Sequence, residues 1–376
     1  MSTVTVVAES QVEQTRPAEG RLYSLDLFRG ITIAAMIVVN NQSSAFAYWP
    51  LQHADWNGAT PTDLIFPFFL FIVGVSLVFS LGSRVARGES RRSLVQHTIR
   101  RGVTLFLIGL ALNALVWLHT GTFRIPGVLQ RIAVVYCAAM LIAMYAKVPG
   151  RVAWAIGLLV GYWILLRYLP APGYGLPGRD IPLLDPDTNL AAYLDRRLLL
   201  GHLWEGTRDP EGILSTLPAI ATGLCGVLTG DWLRSARLSR QKITGMLTIG
   251  VTLIALGELW GLWFPINKKL WTSSYVLFAG GCALISLAMC YWLTDVKRFR
   301  GRWTIPFIVF GSNAIASYVL SEVLGGWLAW RGITFLHSLA WMDSPALVSL
   351  VHSLVILVMC FFPMYWLYRR KIFLKI

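Results

Sequence analysis

Apolar stretches of roughly 18 to 23 residues recur from residue 27 nearly to the C-terminus, and each can cross a hydrocarbon layer of about 30 Å as a helix. They fall at about 27–47, 63–83, 102–119, 128–146, 152–169, 213–231, 243–264, 271–293, 303–325 and 346–368, with only short polar links between most of them. A soluble core cannot bury so much apolar surface, since 56% of the residues are hydrophobic and only 14% are charged. The runs are continuous and do not alternate in short pieces, which argues against a β-barrel. The expected fold class is therefore an all-α integral membrane protein, a bundle of about ten transmembrane helices.

The net charge of +14 raises the question of nucleic acid, but the positive residues sit in links between apolar runs and not on one amphipathic face, so no nucleic-acid partner is expected. Arg16, Arg21 and Arg29 precede or open the first run. Arg84, Arg87, Arg91, Arg92, Arg100 and Arg101 fill the second link, and Lys147 and Arg151 the fourth. Arg234, Arg237, Arg240 and Lys242 fill the sixth, Lys297, Arg298, Arg300 and Arg302 the eighth, and Arg369, Arg370, Lys371 and Lys375 the tail. These are alternate links, so the positive-inside rule predicts both termini in the cytoplasm. Residues 1–20 read as a disordered cytoplasmic tail and 21–376 as the membrane domain, with 170–212 forming an external cap loop. The partner on this reading is the lipid bilayer, in an inner (cytoplasmic) membrane. A homodimer is compatible with the small-residue content of the helices.

Polar groups in or beside a membrane are costly and mark candidate sites. Asn40 and Asn41 lie near the outer end of the first run, followed by an external link carrying His53, and Asp63 opens the second run. Trp49 and Trp56 flank His53 as apolar walls, Asn57 as a hydrogen-bond partner, and Asp55 or Asp63 as an orienting carboxylate. An imidazole so placed can move a proton near neutral pH; equally, it can be an interfacial histidine in an aromatic belt. Asp63 can cap the helix start as readily as it can take part in chemistry. In the third link, Pro126 and Gly127 make a turn before Gln130 and Arg131. Arginine at a helix N-terminus opposes the dipole, so Arg131 calls for an anionic partner, either a protein carboxylate or a ligand phosphate. Asp209, Glu211, Asn267, Lys268 and Trp271 stand at other external helix ends, whereas Asn313, Glu258 and Glu322 fall inside apolar runs and suit interhelical hydrogen bonds. There is no P-loop, GxGxxG turn, GxSxG elbow or HExxH, and the five cysteines lie within apolar runs without metal-ligand spacing, so no metal is expected.

Several stretches taken together are recognisable. Arg21-Leu22-Tyr23-Ser24-Leu25-Asp26-Leu27-Phe28-Arg29-Gly30, then His53-Ala54-Asp55-Trp56-Asn57-Gly58 with Asp63-Leu64-Ile65-Phe66-Pro67, resembles the heparan-α-glucosaminide N-acetyltransferase family. So do Arg124-Ile125-Pro126-Gly127-Val128-Leu129-Gln130-Arg131, Asp209-Pro210-Glu211-Gly212-Ile213-Leu214, Pro265-Ile266-Asn267-Lys268-Lys269-Leu270-Trp271 and Tyr368-Arg369-Arg370-Lys371-Ile372-Phe373, in the family's order.

The resemblance implies a transmembrane N-acetyltransferase of a compact bacterial type. It would move acetyl from cytoplasmic acetyl-CoA, a co-substrate, to the amine of a glucosamine-type sugar at the periplasmic side. The family's active-site histidine falls on His53 and its functional asparagine on Asn40, with Asn41 the alternative; Asp63 completes the catalytic set. Trp56, Asn57, Arg124, Gln130, Arg131, Glu211, Asn267, Lys268, Trp271 and Asn313 are the expected substrate and CoA contacts. His53 suits a general base or an acetyl-accepting nucleophile, and the amide of Asn40 or Asn57 an oxyanion donor. Two other classes compete: a secondary transporter or flippase of a sugar-like solute, and an envelope polysaccharide O-acetyltransferase.

Overall fold

The computed structural model describes residues 22–42, 47–121, 123–330 and 344–374, so the tail expected over 1–20 lies outside the described residues. Twelve helices run through them: α1 (Tyr23–Asn40), α2 (Ile65–Ala86), α3 (Arg91–Thr120), α4 (Val128–Tyr145), α5 (Val148–Tyr168), α6 (Leu190–Leu199), α7 (Thr216–Arg234), α8 (Ser239–Gly261), α9 (Ser273–Tyr291), α10 (Ile305–Ser312), α11 (Ala314–Trp330) and α12 (Pro345–Arg369). Among the described residues there is no strand, only isolated bridges pairing Gly58 with Asn267 and Pro177 with Ile181.

Among the described residues, eight helices are long and apolar enough to cross a membrane, or nine if the bent pair α10–α11 counts as one span. The expected run at 213–231 forms α7, a helix that is not among those eight. Its sequence is diluted by Thr216, Thr222, Gly223, Gly226, Thr229 and Gly230, and it packs against α2, α4 and α5. Its small residues bring backbones together: a Cβ on Gly74 would lie 2.0 Å from the Gly223 carbonyl oxygen. The inner helices α1, α2, α4 and α9 are about half buried, while α3, α5 and α8 turn most of their surface outward.

Local chemistry sets the helix ends. The Ser90 hydroxyl caps α3 by accepting the Ser93 amide at 3.2 Å, so that helix begins at Arg91, well before the expected 102. α1 stops at Asn40, short of the expected 47, and the Asn41 amide donates to the Ile37 carbonyl at 2.8 Å. The expected span 303–325 is interrupted by an 82° bend between α10 and α11, with Asn313 at the break. There the Asn313 side chain donates to the Ile372 carbonyl at 3.1 Å and accepts the Leu374 amide at 2.8 Å.

The links sort to two ends. At one, Ser24 meets Asp295, Tyr23 meets Thr304, Arg151 pairs with Asp231 and Arg234 reaches the Val78 carbonyl. At the other, the link before α2 meets that before α9 through Gly58 N–H to Ile266 O at 2.7 Å. The link before α4 meets the segment 200–215 through Arg124 and Asp209, and Trp56 reaches Leu184.

Candidate active site

The site grows from the link between α1 and α2. Short 3₁₀ turns, Trp49–Leu51 and Pro61–Leu64, bracket it and are tied together by side chains. Thr62 Oγ1 donates to Pro50 O at 2.9 Å, Thr60 Oγ1 to Gln52 O at 2.6 Å, and Gln52 Nε2 to Ala47 O at 2.5 Å. Gly58 takes φ 96°, a left-handed value that glycine adopts without a Cβ penalty, and from there it bonds across to Ile266.

This folding delivers His53 to Asp63, with Nδ1 and Oδ1 2.7 Å apart. The Asp63 side chain is 1% exposed, and its other oxygen accepts the amides of Ala54 (3.0 Å) and Thr60 (2.9 Å), with the Thr60 hydroxyl, whose proton Gln52 O shares, 3.1 Å away. A carboxylate surrounded by donors accepts only, so the His53 proton resides on Nδ1 and Nε2 keeps its lone pair. Asp63 therefore holds the helix start and at the same time bonds the histidine. Asp55, the other candidate carboxylate, is exposed. The Tyr275 hydroxyl donates to the Asp63 backbone carbonyl at 2.5 Å, fixing this turn to α9. The His53 side chain is 46% exposed, in contrast to its buried carboxylate partner.

The second wall comes from residues 265–272. Asn267 is fully buried and organises its own turn: its Oδ1 accepts the Leu270 amide at 2.8 Å and its backbone amide donates to Thr272 Oγ1 at 2.9 Å. Its Nδ2 donates to Asn57 Oδ1 at 3.2 Å, which leaves the Asn57 amide nitrogen available as a donor. Lys268 then projects onto His53, with Nζ 3.2 Å from Nδ1 and 3.4 Å from Nε2, and 3.9 Å from Asp63 Oδ1. Burial pushes the Lys268 pKa down, against the opposing pull of Asp63 and Glu211. Trp271, buried at φ 53°, donates from Nε1 to Thr222 Oγ1 at 3.1 Å and packs edge-on against Phe66 and Tyr275.

The segment 170–212, the expected cap, meets this end through Trp56 and Arg124 and contains α6, whose start is capped by Asn189 Oδ1 accepting the Ala192 amide at 2.9 Å. Trp56 is its seam: Nε1 donates to Leu184 O at 2.8 Å, and Arg208 and Lys269 lie over the ring at 5.3 and 6.0 Å. Arg124 holds Asp209 side-on, Nε to Oδ2 at 2.8 Å and Nη2 to Oδ1 at 2.5 Å, and also pairs with Glu211. Burial opposes all three charges. The two carboxylates nevertheless hold Arg124 above the ordinary arginine range, and Arg124, Arg131 and Lys268 hold Glu211 below the usual carboxylate range, whereas burial prevails at Asp209 and raises it. Asp195, buried within this segment on α6, is pushed up to about 6 by burial, with the Asp209 charge adding to the rise.

Arg131 does not take either of the nearby carboxylates. It is 2% exposed, donates through Nη2 to Gly212 O and Ser215 Oγ (3.2 and 2.5 Å), and stacks over Trp271 at 5.1 Å, while Nε and Nη1 have no hydrogen-bond partner among the described residues. Gln130 braces its own turn through Ile125 O at 3.1 Å.

The structure thus brings His53, Asp63, Asn57, Asn267 and Lys268 together, with Trp56, Glu211, Arg124, Arg131 and Trp271 around them. Asn40 Nδ2 donates to Glu322 Oε1 of α11 at 2.9 Å, and Asn313 holds the tail. Thr60 and Tyr275, which steady Asp63, were not singled out from sequence. A Thr three residues before Asp63 is a helix-start signature by which the first could have been found; the second has no sequence signal.

Comparison with known proteins places this geometry in context. The family model "Heparan-alpha-glucosaminide N-acetyltransferase, catalytic" matches residues 21–259. The mouse (Mus musculus) heparan-alpha-glucosaminide N-acetyltransferase is 33% identical over 428 residues, covering 98% of this chain and 62% of that protein. The human (Homo sapiens) protein of the same name is 33% identical over 418 residues, covering 95% of this chain and 60% of its own length. The chain thus spans about three fifths of these relatives.

Proposed function

Because the chain belongs to the heparan-alpha-glucosaminide N-acetyltransferase family, we propose that it is an N-acetyltransferase that moves acetyl from acetyl-CoA to the amine of a glucosamine-type sugar. The observation that carries this reading is the His53 Nδ1 to Asp63 Oδ1 contact at 2.7 Å. A glucosamine ammonium attacks a thioester only after losing a proton. His53 Nε2 takes that proton, and Asp63 holds the ring in the matching tautomer and stabilises the imidazolium that forms. The same lone pair can instead receive the acetyl group, and a labelled acetyl-histidine in quenched protein distinguishes that route. The Asn57 amide nitrogen, with its oxygen engaged by Asn267, is the donor best placed to meet the developing oxyanion.

In this reading α7 and the bent pair complete about ten spans, both termini lie in the cytoplasm, and the His53 end opens to the periplasm. Acetyl-CoA enters from the opposite, basic end, so the acetyl group travels through the bundle before it meets the acceptor. The test is acetyl transfer from labelled acetyl-CoA to glucosamine in proteoliposomes, comparing wild type with His53→Ala. Undiminished transfer by the variant removes His53 from the mechanism. Equal labelling of N-acetylglucosamine favours the O-acetyltransferase, and solute movement without acetyl-CoA the transporter.

A further inference from the structure

The amine of Lys268 stands beside the place an acceptor amine must reach. General-base catalysis needs the substrate nitrogen within roughly 3 Å of the base and in line with its lone pair; Lys268 Nζ, 3.2 Å from His53 Nδ1 and 3.4 Å from Nε2, lies over the ring and reaches that line by rotation of its own side chain. No tight ion pair withholds it: Asp63 stands 3.9 Å away with its oxygens engaged by His53, Ala54 and Thr60. The neighbouring Lys269 differs, since its Nζ is paired with Glu205 at 3.1 Å. The Lys268 backbone is set by the Asn267 turn and by its carbonyl accepting the Trp271 amide at 3.1 Å.

We propose that Lys268 is an internal acetyl acceptor: with no amino sugar bound, the enzyme acetylates its own Lys268 side chain, and the acetyl-lysine closes the site. This rests on the acetyl-transfer reading above. His53 Nε2 takes one proton from the Lys268 ammonium, and the freed amine attacks the acetyl-CoA carbonyl. A C–N bond forms, the C–S bond breaks, a second amine proton goes to the departing CoA thiolate, and His53 returns its proton to solvent. The products are an amide and free CoA, with no further reactant. The charged groups facing Lys268 are His53 and Asp63 from the α1–α2 link, Glu211 from the cap, Arg131 from α4 and Lys269 beside it. Burial lowers the Lys268 pKa and so enlarges its reactive, neutral fraction. The carboxylates oppose this and keep the self-reaction slow beside turnover on sugar.

The experiment incubates the full chain in lipid nanodiscs with isotopically labelled acetyl-CoA, with and without glucosamine, and reads acetylation at Lys268 and Lys269 by peptide mass spectrometry. The expected result is label on Lys268 and not Lys269, suppressed by glucosamine and reduced by about a hundredfold or more in His53→Ala. Prior incubation with acetyl-CoA alone should inactivate wild type progressively, and Lys268→Arg should lose no further activity under the same treatment. Unmodified Lys268 in a protein that still acetylates glucosamine overturns this inference and leaves the function standing. Equal labelling of both lysines, or undiminished labelling in His53→Ala, also overturns it by showing unassisted chemistry. A protein that labels neither glucosamine nor Lys268 overturns both readings.

Discussion

Asn267 reaches across from the link before α9 to hold the side-chain oxygen of Asn57 at 3.2 Å, so the orientation of one amide is decided by another that is itself fully buried. Truncating each end should have different effects. Asn57→Ala should lower kcat by about 10²–10³ with little change in KM, as expected for an oxyanion donor. Asn267→Ala should also cost about 1–3 kcal/mol of stability, because it strands the Leu270 amide. Steady-state kinetics beside thermal unfolding separates them; equal loss of stability in both would assign Asn57 a structural role.

Asp63→Asn keeps the size of the side chain but removes the acceptor-only carboxylate that fixes the His53 tautomer. Acetyl transfer should fall by about 10²–10⁴, measured with labelled acetyl-CoA, while the helix content by circular dichroism stays unchanged. Thr60→Val, which removes the hydroxyl that ties Gln52 O and stands 3.1 Å from Asp63, should cause a milder loss of the same kind.

The clamp between Arg124, Asp209 and Glu211 joins the link before α4 to the cap. Arg124→Leu leaves two largely buried carboxylates without their main partner and should loosen the cap by about 3–5 kcal/mol. Hydrogen exchange over residues 190–215 should rise selectively. Glu211, with its pKa held below the usual range, contributes stability that is present above its unfolded pKa and lost as pH falls through the folded one, so acid should loosen the same region.

Asp195 has the opposite sign. With its pKa pushed up from 3.8 to about 6, the folded protein retains a proton that the unfolded chain has released, and stability declines as pH rises between those values. Asp195→Asn keeps the acceptor for the Ile213 amide and removes the buried charge. It should stabilise the cap by roughly 2–3 kcal/mol at pH 8 and by almost nothing at pH 4, read by proteolysis of the cap at the two pH values.

At the crossing of α2 and α7, Gly74→Ala places a methyl 2.0 Å from the Gly223 carbonyl oxygen. The helices must part, at a cost of about 1–3 kcal/mol, and detergent-solubilised protein should unfold at lower temperature. An unchanged transition would mean the crossing is not close-packed in solution.

Apolar runs made most helices legible because lipid-facing and core residues are alike hydrophobic. The same likeness hid what happens where a helix meets only protein, as along Gly223 and Gly226 of α7. The bend at Asn313 was not legible either, since its partners are the backbone of Ile372 and Leu374 at the far end of the chain. In the site, His53 was marked by its company of Trp, Asn and Asp. The choice of Asp63 over Asp55 was not, because it depends on how Thr60 and Gln52 fold the link. Lys268 stood out as a helix-end residue, but its meeting with His53 joins positions 215 residues apart and has no local signature.

The clasp at Asn313 makes residues 372–374 a splint across a joint. Two helical segments meet there at 82°, and the Asn313 amide grips a donor and an acceptor of the tail much as a neighbouring strand would. A label or affinity handle attached at residues 372–374 therefore hangs from that joint, and pulling on it levers the hinge between α10 and α11.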